Sequence, residues 1–276
     1  MNEFDLVIRN GMLVSESGSQ KADLGIKEGK IAAIGLNLIG KETIDATGLL
    51  VIPGGVDPHV HLNMPTATTI TSEDWYSGTL AAAYGGTTTV LDFVEPLPGQ
   101  TLQEALRERQ AEAKGQAWLD YGLHMTISDA DRIPEIKSLV EKGVTSYKIY
   151  TTYGDMQLND YEIVAVLDEV KEINGIVMVH EENDAIVQHA TNTLVKDGKL
   201  EPRWHPHSRP ALAEVEAVNR MVYLARVSGT NLYLVHLSTS GAVEAARIAK
   251  EAGQNLVAET CPQYLLLNRE AYQNDD

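Results

Sequence analysis

The stretch GGVDPHVHL, residues 54–62, decides how the rest of the chain is read. Asp57, His59 and His61 stand at alternate positions behind Pro53 and a pair of glycines. Residues two apart on a strand point to the same side, so the two histidines face together and Asp57 faces with them. On a barrel strand that side is the interior. Imidazole is the commonest metal ligand, and two at i, i+2 can chelate one ion. Ordinary strand histidines would give the same pattern, so the surrounding chain has to choose.

Downstream of Pro53, strand-like apolar runs alternate with helix-length amphipathic ones. After GGVDPHVHL the strand candidates are TTTVLDFV (87–94), LDYGLHMTI (119–127), VTSYKIY (144–150), GIVMVH (175–180), NLYLVHL (231–237) and NLVAET (255–260). Helical stretches are expected near 72–84, 101–116, 132–142, 159–173, 211–228 and 240–252, with Asn159 or Asp160 as an N-cap. Gly85-Gly86, Gly143, Gly175, Gly229 and Gly253 stand where helices should stop. Such alternation argues an α/β fold with a parallel sheet, either a (β/α)8 barrel or a doubly wound sheet. No GxGxxG or GxxxxGK[ST] follows any strand, which removes the nucleotide-binding readings of an open sheet. Only seven strand candidates are found, so an eight-stranded barrel would be incomplete, its segment running over 53–276.

Upstream, residues 1–52 read as a small β module: FDLVIRN, GMLVS, ADLGIK, KIAAIG and TGLLVI, with a hairpin turn at Glu28-Gly29. The 276 residues are 43% hydrophobic, enough for a sizeable core. Asp and Glu number 39 against 22 Lys and Arg, a formal charge of −17. That surface disfavours nucleic acid and anionic membranes as partners. A single cysteine, Cys261, excludes an intrachain disulfide framework. It reads as a core thiol. With no signal peptide and no bilayer-length apolar run, a cytoplasmic protein is expected.

The remaining polar residues favour chemistry at GGVDPHVHL. His180 closes the apolar run GIVMVH and His236 nearly closes NLYLVHL. Barrel active sites are built at that end of the strands. Lys148, in SYKIY, is a residue type almost never fully buried without a partner. It could snorkel to the rim. It could be a desolvated amine that forms a Schiff base. Or it could react with CO2 to give a carbamate able to bridge two metal ions about 4 Å apart. The nearby histidines favour the carbamate. His124, His189, His205 and His207 read as structural or surface residues, and Glu181-Glu182 as a solvated loop or helix start.

Taken together, PGGVDPHVHL, SEDWYSGTLAAAYGGTTTVLDF, SYKIYTTYGDMQLND, VMVHEEND, LYLVHLS and AETCPQYLLL resemble the cyclic amidohydrolases. The hydantoinase and dihydropyrimidinase branch is the most similar. The resemblance runs over essentially the whole chain. It implies a (β/α)8 barrel, with a β-sandwich module assembled from both chain ends. It also implies a hydrolase that opens an amide bond of cyclic ureides or imides through a hydroxide held between two Zn2+ ions, with Mn2+ or Co2+ as alternatives. By motif position, His59 and His61 would bind the more buried ion and His180 and His236 the more exposed one, with carboxylated Lys148 between them. Tyr153 would bind substrate and stabilise the oxyanion. Asp57 would support the ligands from behind. A homo-oligomer, dimer or tetramer, is implied as well.

The resemblance also implies an aspartate on the eighth strand as proton shuttle, and that strand lies beyond residue 276. The chain by itself is therefore expected to be inactive or nearly so. Two rival readings are an allantoin- or dihydroorotate-directed relative and a non-catalytic scaffold of the same fold. The first would need cationic donors, yet the loops NMPTATTITSEDW and TTYGDMQ hold no arginine. In the second the metal ligands would be replaced, and here all are present.

Overall fold

The computed structural model describes residues 3–66 and 69–273; the last three residues of the expected barrel segment lie outside the described residues. The chain divides into two compact units, Met1–Val56 with Ala82–Thr89, and Asp57–Ala81 with Val90–Asp276.

The first unit is built from β1 (Phe4–Arg9), β2 (Met12–Ser15), β3 (Gly18–Lys21), β4 (Asp23–Lys27), β5 (Lys30–Gly35), β6 (Gly40–Asp45) and β7 (Leu50–Val51). They form two sheets, ordered β5-β4-β1-β6 and β3-β2-β7. β3 (GSQK) and β6 (GKETID) were not expected, because neither shows an apolar alternation. The hairpin between β4 and β5 turns at Glu28 (φ 52°) and Gly29 (φ 72°), as a two-residue primed turn requires. Buried Asp23 accepts the N–H groups of Asn10 and Leu38 at 3.0 and 3.2 Å. The Asn10 bond is the main reason its carboxyl lies below its usual range.

The main sheet comprises β8 (Gly55–Val60), β9 (Thr87–Val94), β10 (Asp120–Thr126), β11 (Ser146–Tyr150), β12 (Ile176–His180), β13 (Asn231–Leu234) and β14 (Leu256–Ala258). Its seven strands lie in sequential order, and β10 to β14 pair in parallel. A doubly wound sheet would reverse its order at a switch point, so this is an incomplete (β/α)8 barrel. Alternation sorts each strand. Tyr147, Ile149, Val177, Val179, Leu232 and Leu234 are fully buried against Ile163, Leu167, Val218 and Met221. Lys148, Met178 and His180 take the other face.

The helices are α1 (Trp75–Tyr84), α2 (Leu102–Ala113), α3 (Asp160–Glu172), α4 (Asp184–Lys196), α5 (His205–Ser208), α6 (Ala211–Ser228) and α7 (Ser240–Glu251). Asn159 caps α3 in a reciprocal arrangement with Glu162. Two expectations are corrected. The segment Ala130–Lys142 is a 3-10 helix rather than an α-helix. Pro134 within it has no N–H to give an α-helical ladder. α4 was not foreseen: DAIVQHATNTLVK is rich in β-branched and polar residues, and its start is set by the Asn183 side chain accepting from Ile186 N–H. At the end of α3 the left-handed residue is Asn174 (φ 52°), not Gly175. Gly175 serves a close approach instead, since a Cβ there would lie 2.7 Å from the Thr145 carbonyl oxygen. No described helix is long and apolar enough to cross a membrane.

Candidate active site

The histidines converge in two pairs. On the β8 side, His59 Nε2 and His61 Nε2 lie 3.3 Å apart. His180 ends β12 and His236 follows β13, and their Nδ1 and Nε2 atoms lie 3.0 Å apart. The His59 and His236 rings are 5.5 Å apart between centroids, so the pairs adjoin. Two nitrogens bound to one tetrahedral Zn2+ would be separated by about 3.3 Å. Burial holds His61 down at about 3 and His236 at about 2, and lowers His180 as well. The His61 and His236 rings are therefore neutral and keep a lone pair available. His61 Nδ1 is buried without a hydrogen-bond partner among the described residues.

Lys148 lies on β11, which stands between β8 and β12 in the sheet order. It is 1% exposed, and among the described residues no acid pairs with it. Its Nζ faces the Phe93 and Tyr150 rings at 5.7 and 5.3 Å from their centroids. Burial lowers the amine to about 8, against the opposing pull of Glu181, Glu259 and Glu95. An unpaired buried ammonium is costly. A free amine that acquires a carboxyl group is not, provided cations meet it. Neutral imidazoles are donors of the kind that hold Zn2+. No three His, Cys, Asp or Glu side chains among the described residues share one ion-sized point. Tyr153 lies on the loop after β11 with φ 75°. Its ring is 4.7 Å from that of His180.

Two carboxylates back the histidines, and sequence reasoning assigned neither. Glu259, one residue past β14, contacts His59 Nδ1 at 2.9 Å and accepts from Tyr233 Oη at 2.5 Å and His236 N–H at 2.9 Å. Burial pushes its carboxyl up, but the bonds from His59 and Tyr233 prevail and hold it at about 2. Glu182 Oε2 lies 2.9 Å from His180 Nε2 and accepts from Arg209. The available signal for Glu259 was its place at a strand end, the same argument that singled out His180.

Asp57 is exposed, and its Oδ1 accepts the main-chain N–H of His59 at 3.2 Å. The carboxylate on the His59 ring is Glu259. Two expectations are corrected here. Glu181-Glu182 is not a solvated pair. Glu181 is 1% exposed with both carboxyl oxygens unpartnered among the described residues, and burial raises its pKa well above the usual value. Cys261 is half-buried rather than a core thiol. His124, as expected, is structural. It is buried, with its ring nitrogens on Ser146 Oγ and the Pro58 carbonyl at 2.5 and 2.9 Å.

Beyond the ends of β9, β10 and β11 opens a cavity of about 610 Å3, lined in part by Pro65, Glu95, Arg132, Asp155 and Met156. Arg132 is engaged with Glu135 at 2.9 Å and Asp129 at 3.6 Å.

Residues 50–270 match the model of the amidohydrolase family, and residues 1–52 match that of the urease alpha-subunit N-terminal domain. A D-hydantoinase of Geobacillus stearothermophilus is 42% identical over 269 residues, covering 95% of this chain and 57% of that protein. A D-hydantoinase of Streptomyces coelicolor is 38% identical, covering 98% of this chain and 60% of that one. The crystal structure of dihydropyrimidinase from Brevibacillus agri NCHU1002 superposes with a TM-score of 0.95 at 39% identity, covering 98% of this chain and 60% of that chain. The chain thus spans about three fifths of the length of these relatives.

Proposed function

Because the chain belongs to the amidohydrolase family, we propose that it carries the ion-binding half of a hydrolase that opens an amide bond of neutral cyclic ureides or imides. Hydantoins and dihydropyrimidines are the intended class. The observation that carries the reading is the two adjoining histidine couples in one sheet with a buried Lys148 that pairs with no acid among the described residues. Similarity to proteins named hydantoinase and dihydropyrimidinase supports it. In this reading residues 1–52 are the small β module and 53–276 the barrel segment.

His59 and His61 would hold one ion and His180 and His236 the other, with Lys148, as its CO2 adduct, shared between them. Two Zn2+ ions, with Mn2+ or Co2+ as alternatives, would polarise the amide carbonyl and make water a nucleophile near neutral pH. The protein's own groups prepare this. Glu259 takes the Nδ1 side of His59, leaving Nε2 toward His61. Glu182 takes the Nε2 side of His180, leaving Nδ1 toward His236. Such partners fix ring orientation and raise ligand basicity. The Tyr153 hydroxyl bonds to no described residue and the side chain is 44% exposed. It is free to donate to an oxygen on which charge develops. The loop 151–157 presents no cation to an anionic ring substituent.

Elemental analysis of the purified protein tests the reading: about two zinc per chain are expected, falling below one in a Lys148→Ala variant. Absence of bound metal after zinc loading would overturn it. A panel of hydantoin, dihydrouracil, allantoin and dihydroorotate tests the substrate class, with the first two expected to be preferred.

A further inference from the structure

Arg209 lies in the link between α5 and α6, outside both loops inspected for charge. One guanidinium N–H donates to Glu182 Oε2, and the guanidinium carbon sits 4.9 Å from the centroid of the Tyr153 ring. Glu182 Oε2 is also 2.9 Å from His180 Nε2. The His180 and Tyr153 rings are themselves 4.7 Å apart. Arg209, Glu182, His180 and Tyr153 thus form a closed circuit of contacts.

Tyr153 needs such support. Its backbone is left-handed, φ 75° and ψ 42°, a conformation that is strained for a non-glycine residue. Its hydroxyl bonds to no described residue. Among the described residues the ring is located by contacts with Arg209, with His180 and, edge-on at 6.0 Å between centroids, with Tyr150.

We propose that Arg209 is a positioning residue that joins Tyr153 to His180, holding the phenol at a fixed distance from the ion-binding nitrogen. The inference rests on the functional reading above. Arginine suits the task because its planar fork can meet a carboxylate with its edge while its face covers an aromatic ring. Lysine can pair with Glu182 but cannot do both. A lysine and an apolar replacement should therefore fail differently.

The test uses the native full-length protein and its Arg209→Lys, Arg209→Met and Tyr153→Phe variants, with zinc and hydantoin as probes. Arg209→Lys should keep zinc affinity near that of the parent while kcat falls on the order of tenfold and KM stays level. In the Tyr153→Phe background the same change should have no further effect. Arg209→Met should also weaken one of the two zinc sites by roughly tenfold or more. Parent-like kcat in Arg209→Lys, or an equal loss in both backgrounds, would overturn the proposal. A separate readout needs no metal: 15N NMR of the His180 ring in the metal-free protein. Protonation at Nε2 alone in the parent and a tautomer mixture in Arg209→Met support the proposal; identical spectra refute it. If the parent takes up no zinc and turns nothing over, the functional reading fails, and the NMR comparison still decides the role of Arg209.

Discussion

Glu259 offers the most direct perturbation of the centre, because one carboxylate touches both halves of it. Through Oε1 it meets the His59 ring at 2.9 Å and the main-chain N–H of His236 at 2.9 Å; through Oε2 it accepts from Tyr233 Oη at 2.5 Å. His236 has φ 38°, so that N–H bond also helps secure an unusual backbone. Replacing Glu259 by alanine would strip three donors of a charged acceptor. Each donor left unsatisfied costs about 1–3 kcal/mol. The Glu259 side chain is 15% exposed, so water recovers part of that, and a net loss of roughly 2–4 kcal/mol is expected. Loss of an outer partner to a metal ligand lowers metal affinity about 10–100-fold. Since His59 and His236 belong to different pairs, both zinc equivalents should weaken. Glu259→Gln keeps one acceptor oxygen and should fall between alanine and the parent. The assays are urea denaturation of the metal-free protein and zinc competition against a chelating dye. Parent-like affinity at both sites in Glu259→Ala would refute the reasoning, whatever the change in stability.

Two further outcomes follow from burial. Lys148→Met removes an unpaired buried amine while keeping its volume, so the metal-free protein should melt no lower than the parent, and its zinc uptake should collapse; calorimetry and elemental analysis check the two halves. Asp23→Ala should cost about 1–3 kcal/mol in urea at pH 7, because the Asn10 and Leu38 N–H groups lose their acceptor. The Asp23 carboxyl is depressed in the folded state, so its contribution is complete above the unfolded value of about 4 and is lost as pH falls through the lower folded value. The gap between parent and variant should narrow only below about pH 4.

The sheet was readable because strand-length stretches bounded by turn residues alternate with helix-length amphipathic ones. The residues proposed for the site stood out because each is a polar side chain within or at the end of a strand, as at His59, His61, Lys148, His180 and His236. What escaped depends on meetings between distant segments. His59 and Glu259 are 200 residues apart, and nothing local marks an acid as the partner of a particular ring. Arg209 escaped for the same reason. Glu181 and Glu182 were misread because two adjacent acids ordinarily mean solvent, whereas here the end of β12 carries them inward. α4 escaped because its β-branched residues obscure the helical period, and the 3-10 segment because Pro134 matters only once the chain has chosen between ladders.

The register of the main sheet has a consequence for how such a molecule can change over time. Tyr150 pairs with His180 and Lys148 with Met178 across β11 and β12, so the spacing between groups of the centre is written in main-chain ladders rather than in side-chain packing. Substitutions in the surrounding helices can drift without moving it. The loops beyond the strand ends are tied to it only at their roots. Under the proposed function, reactivity and selectivity would be stored in separate parts of the chain, and a lineage could exchange one set of substrates for another by editing loops while inheriting the same core.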